Sequence, residues 1–190
     1  MQDVIKNNFS EHLDVINKVL DTNIDSIHLF GDLLTTCLAN GGTIFWCGNG
    51  GSASDSQHIS AELVGRFKKD RRALRSLALT TDTSVLTSVG NDYGFGEIFS
   101  RQFEALGSSK DILVGISTSG GSENIIRAFQ AAKNLGATTL ALTGNDGGKV
   151  KKISDYSLVV ESKSTARIQE AHILIGHILC DIIEQRLELA

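Results

Sequence analysis

Thr43-Ile44-Phe45-Trp46-Cys47-Gly48-Asn49-Gly50-Gly51-Ser52-Ala53 is the stretch that decides the fold. A short apolar run passes into a glycine-rich turn, and the turn opens a helical pattern from Ala53 to Phe67. Strand, tight turn and helix form the first half of a βαβ unit, in which parallel strands need a long crossover. The alternation repeats outward. Apolar runs at Ser76 to Leu79, Ile112 to Ile116, Thr138 to Leu142 and Tyr156 to Val160 read as strands. Phe95 to Leu106 and Ser122 to Leu135 read as helices between them. The expectation is an α/β fold: a doubly wound, flavodoxin-like, five-stranded parallel sheet covered on both faces. Ligands in such sheets bind beyond the carboxyl ends of the strands.

The flanks of the chain are helical. Ile5, Phe9, Leu13, Ile16 and Leu20 make one stripe, and Ile27, Phe30, Leu34, Cys37 and Leu38 another, predicting an N-terminal helical pair closed by Asn40-Gly41-Gly42. Thr165 to Leu189 predicts a long C-terminal helix, apolar on more than one face. Such a helix needs cover on several sides, which points to a subunit interface built with residues 1–40. No linker, repeat or low-complexity tract divides residues 1–190, so one domain is expected.

Composition narrows the function. Of 190 residues 41% are hydrophobic, enough for a core, and the net charge of −4 gives no drive toward nucleic acid or anionic lipid. Cys37, Cys47 and Cys180 are scattered in apolar stretches and read as buried thiols in a reducing compartment. The first residues lack a basic and apolar leader, and no apolar run approaches the ~20 residues of a membrane span. A cytoplasmic protein is expected, with neither membrane nor nucleic acid as partner.

Two loops suit a phosphate. Gly48 to Ala53 ends a strand and starts a helix, where main-chain N–H groups converge on an anion. It also matches the dinucleotide pattern G-x-G-x-x-A, but the acidic residue wanted about twenty positions later is displaced to Asp82. The alternative without a ligand is a tight strand–helix turn that needs glycine for backbone reasons alone. Ser117-Thr118-Ser119-Gly120-Gly121-Ser122 again joins strand to helix and adds four hydroxyls, more than capping requires. Asn91 and Asp92 suit either a turn or a substrate contact, and Gly144 to Gly148 reads as a turn.

Acid, base and metal ligands come from two helices. His58 and Glu62 are four apart, on one helix face. Gln169, His172 and His177 are polar residues in the apolar C-terminal helix; His172 reads as a packing or supporting residue. Gln169 and His177 are about 12 Å and 80° apart on a regular helix. A shared ligand therefore requires both side chains to lean, an irregular helix start, or a site shared between subunits. A His/Glu/Gln/His set can hold zinc, although glutamine is an uncommon ligand. Arg66-Phe67-Lys68-Lys69-Asp70-Arg71-Arg72 reads as a solvated basic loop, with attraction of phosphate a secondary role.

Taken together, these segments resemble the bacterial phosphoheptose isomerases, the sedoheptulose 7-phosphate isomerase branch of the sugar isomerase (SIS) superfamily. The likeness covers nearly the whole chain. It rests on Gly48 to Ala53, Gln57-His58 with Glu62 to Phe67, Leu79 to Thr83, Gly90 to Gly94, Ile116 to Gly120, Leu142 to Gly144 and Ala166-Arg167-Ile168-Gln169-Glu170. The resemblance implies zinc held by His58, Glu62, Gln169 and His177. It implies substrate contacts from Asn49, Gly50, Gly51, Ser52, Glu62, Asn91, Asp92, Ser117, Thr118, Ser119, Ser122 and Gln169. It further implies a homotetramer with sites at subunit interfaces, acting on a phosphorylated heptose at the first step of heptose synthesis for surface glycans. Some members carry an acid three positions before the site glutamine, where this chain has Ala166, so a relay through that acid does not transfer.

Aldose–ketose isomerisation moves a proton between adjacent carbons through a cis-enediol, with one group abstracting and another serving oxygen. Glu62 as base and His177 as acid fit those roles. SIS domains also occur as phosphosugar-sensing regulators and as a replication-initiator-binding module. A non-catalytic module has no need of Glu62 and His177 together.

Overall fold

The computed structural model describes residues 1–187. Five strands form one parallel sheet in the order β2-β1-β3-β4-β5, with β1 at Ile44–Gly48, β2 at Ser76–Ala78, β3 at Ile112–Ser117, β4 at Thr138–Gly144 and β5 at Tyr156–Val160. Every neighbouring pair is parallel. This is the flavodoxin-like order, with its switch point between β1 and β3. The glycine-rich and serine-rich loops leave from those two strands.

Seven α-helices cover the sheet: α1 (Gln2–Ala39), α2 (Gly51–Val64), α3 (Thr83–Asp92), α4 (Ser100–Leu106), α5 (Glu123–Asn134), α6 (Gly148–Ile153) and α7 (Thr165–Arg186). Alternate strand residues face opposite ways, so the core has two layers. Ile44, Trp46, Val114, Leu140 and Leu158 pack under α1, α2 and α7. Phe45, Cys47, Leu113 and Ala141 pack under α4 and α5. Strands buried on both faces explain why β1 and β3 read as continuous apolar runs. Buried Trp46 satisfies its indole by donating to Ser76 Oγ at 2.9 Å, and that hydroxyl donates onward to Ser60 Oγ at 3.0 Å.

The expected N-terminal helical pair is instead one unbroken helix of 38 residues. Between the two apolar stripes lies Asp21-Thr22-Asn23-Ile24, which holds neither proline nor glycine. Asn23 is buried and its amide donates to Val159 O at 3.4 Å, so the polar interruption is used for packing and does not break the helix. Both halves of α1 touch the body: Asn8 O accepts from Arg167 at 2.8 Å, His12 bonds Glu170 at 2.7 Å, and Val19, Ile27 and Phe30 join the core. Phe95–Glu97 is a separate 3₁₀ turn before α4, which shortens the helix expected from Phe95. α3 and α6 are additions. α7 reaches Arg186; the positions expected beyond it, 188 and 189, lie outside the described residues. All three cysteines are buried and free, and burial pushes the thiols of Cys37 and Cys180 up to about 11 and 12.

Candidate active site

α2 starts at the end of β1, with Gly50 as its N-cap at φ 56°, a left-handed conformation that favours glycine. At Gly51 a Cβ would lie 2.4 Å from Gln169 Nε2, so glycine lets the Gln169 amide close over the first turn of α2. α7 runs alongside α2 in the same direction. Two turns beyond Gly51 the same seam brings His58 to His177.

There the Nε2 atoms of His58 and His177 are 3.1 Å apart, and Glu62 Oε1 is 3.3 Å from His58 Nε2. One ligand atom from each of the three residues lies within 4.8 Å of the others. Two imidazole nitrogens and a carboxylate oxygen at these spacings fit zinc. Tetrahedral ligands with bonds of about 2.0–2.1 Å stand roughly 3.3 Å from one another. Phe67 stacks on the far side of His177, with ring centroids 5.5 Å apart and an interplanar angle of 12°.

Gln169 belongs to the other end of the seam, since α7 is regular from Thr165 onward and an irregular helix start does not arise. Asp55, one turn before His58, carries a buried Oδ2 without a hydrogen-bond partner among the described residues. Burial pushes its carboxyl up to about 6, against the opposing attraction of His58. Sequence reading passed over Asp55 and the stacking role of Phe67, because neither burial nor the approach of α7 is written in the local pattern.

The two phosphate-type loops meet across the switch point. Asn49 and Asn124 exchange side-chain hydrogen bonds of 3.0 and 2.8 Å, locking the β1 loop to the start of α5. Ser122 occupies the N-cap of α5 without capping it; its hydroxyl pairs with Ser117 Oγ at 2.8 Å. Ser117 Oγ also accepts from Gly120 N at 3.1 Å, while Ser119 Oγ accepts from Gly121 N at 3.2 Å. Along this loop Ser117 is buried, Thr118 half-buried and Ser119 exposed. A cavity of about 400 Å³ lies beside it, bounded by Asn49, Ser122, Asn124 and the turn Tyr93-Gly94-Phe95-Gly96. Ser52 is buried against Gly48 at the strand end. Asn91 and Asp92 close α3, exposed and hydrogen-bonded to each other at 2.8 Å. A larger groove of about 860 Å³ lies beside α1, lined by Val15, Lys18, Asn145 and Lys163 among others, and contains none of the acid–base residues.

The basic run is not simply a solvated loop. Arg66, Lys68 and Lys69 are exposed, but the Arg71 side chain is wholly buried in an ion pair with Glu184.

The SIS domain family matches residues 8–144. A phosphoheptose isomerase of Helicobacter pylori (strain P12) is 51% identical over 185 residues, covering 97% of this chain and 96% of the relative. Among solved structures, a phosphoheptose isomerase from Neisseria gonorrhoeae aligns with a TM-score of 0.93 at 44% identity, covering 97% of this chain and 98% of that one. Another, from Francisella tularensis, gives 0.94 at 40% identity over the same shares.

Proposed function

The chain belongs to the SIS-domain family, in its phosphoheptose isomerase branch, and from that membership we propose how its residues interconvert sedoheptulose 7-phosphate and D-glycero-D-manno-heptose 7-phosphate. The reaction is an aldose–ketose isomerisation, and the non-catalytic reading of the domain is not favoured. The observation that carries the assignment of roles is the convergence of Glu62 and His177 within 4.8 Å beside His58.

In the ketose-to-aldose direction Glu62 removes a proton from C1 while His177 donates one to the C2 carbonyl oxygen, giving the cis-enediol. Glu62 then returns a proton to C2 as the C1 hydroxyl gives its own to His177, which leaves the aldehyde. Atoms and protons balance, and each residue ends as it began. The hydroxyls of Ser117, Thr118, Ser119 and Ser122 and the free N–H groups at the start of α5 bind the phosphate. Asn49, Gly50, Gly51 and Gln169 contact the chain between, with Asn91 and Asp92 at the rim. Fixing the far end in this way orients the reacting carbons.

His58, Glu62 and His177 suit a zinc ion; the resemblance implies Gln169 as a fourth ligand, but its place over Gly51, two turns from His177 on a regular helix, does not support that within one subunit. Bound there, zinc would supply a positive charge that stabilises developing enediolate oxygens. A Glu62 that ligates zinc is a weaker base, so the alternative is an ion that is structural or inhibitory.

A homotetramer has two supports. Val4, Ile5, Phe9, Leu13, Leu20 and Ile24 of α1 are each more than half exposed. Also, α2 runs back from its loop, setting the acid–base cluster two turns away from the phosphate loops of the same subunit, as expected if neighbouring copies complete the site. Residues 1–190 form one SIS domain, and its buried thiols suit the reducing cytoplasm. No helix among the described residues is long and apolar enough to cross a membrane. The net charge of −4 gives no overall electrostatic drive toward nucleic acid.

Turnover of sedoheptulose 7-phosphate by purified protein tests the roles. Glu62→Gln is expected to lower kcat by about 10²–10⁴-fold, the usual loss for a general base. Turnover within tenfold of the wild type would remove Glu62 from the proton path.

A further inference from the structure

We propose that the buried Arg71–Glu184 pair is a positioning device for the reaction, holding the helix end that carries Glu62, and the loop that carries Phe67, at a fixed place against the helix that carries His177. The inference rests on the acid and base roles given above.

Glu184 is 1% exposed and projects from α7 two turns beyond His177. Each of its oxygens accepts two hydrogen bonds. Oε1 takes Phe67 N at 3.0 Å and Arg71 Nε at 2.8 Å. Oε2 takes Lys68 N and Lys69 N, both at 3.0 Å. Burial alone would push this carboxyl up, but the N–H groups of Lys69, Phe67 and Lys68 with the Arg71 guanidinium hold it below the ordinary carboxylate range. The anion therefore organises a three-residue turn of main chain, and that turn aims Phe67 at His177.

The other half of the pair acts on α2. Arg71 donates to the last carbonyls of that helix and the chain just after it: Glu62 O at 2.8 Å from Nη2, Leu63 O at 3.0 Å and Gly65 O at 3.3 Å from Nη1. These are acceptors that a helix end leaves unsatisfied, and a guanidinium fork reaches several at once. One ion pair thus joins the backbone of the proposed base to the helix of the proposed acid. Phe67, stacked on His177, carries the same constraint to the imidazole.

The test uses full-length Glu184→Gln, Arg71→Lys and Phe67→Leu, assayed well below each variant's melting temperature. Phe67→Leu leaves the ion pair in place and is available should Glu184→Gln not fold; Arg71→Lys keeps the charge but loses the fork. Each is expected to lower kcat about 10- to 100-fold, the scale of a misplaced reacting group, with KM changed by less than about twofold. In Glu184→Gln combined with Phe67→Leu the loss should not exceed that of the worse single variant. The ring protons of His177, which the stacked Phe67 moves upfield in the wild type, should shift downfield in Glu184→Gln. Unmoved His177 resonances, losses that multiply in the double variant, or an effect confined to KM would overturn the inference. The acid role itself is read separately: His177→Gln with wild-type kcat would remove that role, while the resonance shift would still decide whether Glu184 places His177.

Discussion

His172 sits on α7 with 1% of its surface exposed, and its Nε2–H donates to Thr143 O at 3.1 Å. Its Nδ1 is buried without a partner among the described residues. Burial drives its pKa from 6.5 down to about 4, so the folded protein holds it neutral while the unfolded chain protonates it near 6.5. Between those values the unfolded state binds more protons, and stability falls as pH falls. Wild type should lose roughly 2–3 kcal/mol more than His172→Gln between pH 7 and pH 4 in urea unfolding, the linkage expected from that shift. Equal losses would mean that His172 titrates normally. His58 and Glu62 were legible as an i,i+4 pair because the helix sets their spacing. Their meeting with His177 was not, because it depends on α7 lying along α2. Arg71 shows the same limit more sharply: its partner Glu184 is 113 residues away, and nothing in a basic run announces a buried carboxylate.

Elements were legible where local chemistry is strong. All five strands fall within two residues of their expected ends, since each is a short apolar run bounded by glycine or polar turns. α6 is six residues long and starts inside a stretch that reads as a turn, too short to show a helical period. α1 was split in two because its apolar stripe shifts near Asn23, and only the tertiary bond to Val159 explains the shift. That helix carries its own prediction. Leu20 and Ile24 are 58% and 56% exposed and flank an apolar groove shared with Leu174 and Ile178 of α7. Leu20→Glu with Ile24→Glu should reduce the proposed homotetramer toward lower order in sedimentation, with helical content retained. A wild type that sediments as the 20.4 kDa monomer would remove the homotetramer.

At the scale of the molecule, the proposed mechanism places two functions on one scaffold. In that proposal the switch point of the sheet supplies the anion-binding loops, while the α2–α7 seam supplies proton transfer. The first follows from strand order, and the loops of β1 and β3 could be read from sequence once five parallel strands were expected. The second depends on helices packed side by side, which strand order does not set. The proposed route is an enediol one, in which the transferred hydrogen passes through a base and can exchange with solvent. The direct measurement is ¹H NMR of the aldose formed from sedoheptulose 7-phosphate by wild-type protein in D₂O. Deuterium at C2 in part or all of the product is the predicted result. Product carrying only protium at C2 would mean that the hydrogen never rested on a group in exchange with solvent, contradicting a proton path through the part-exposed Glu62.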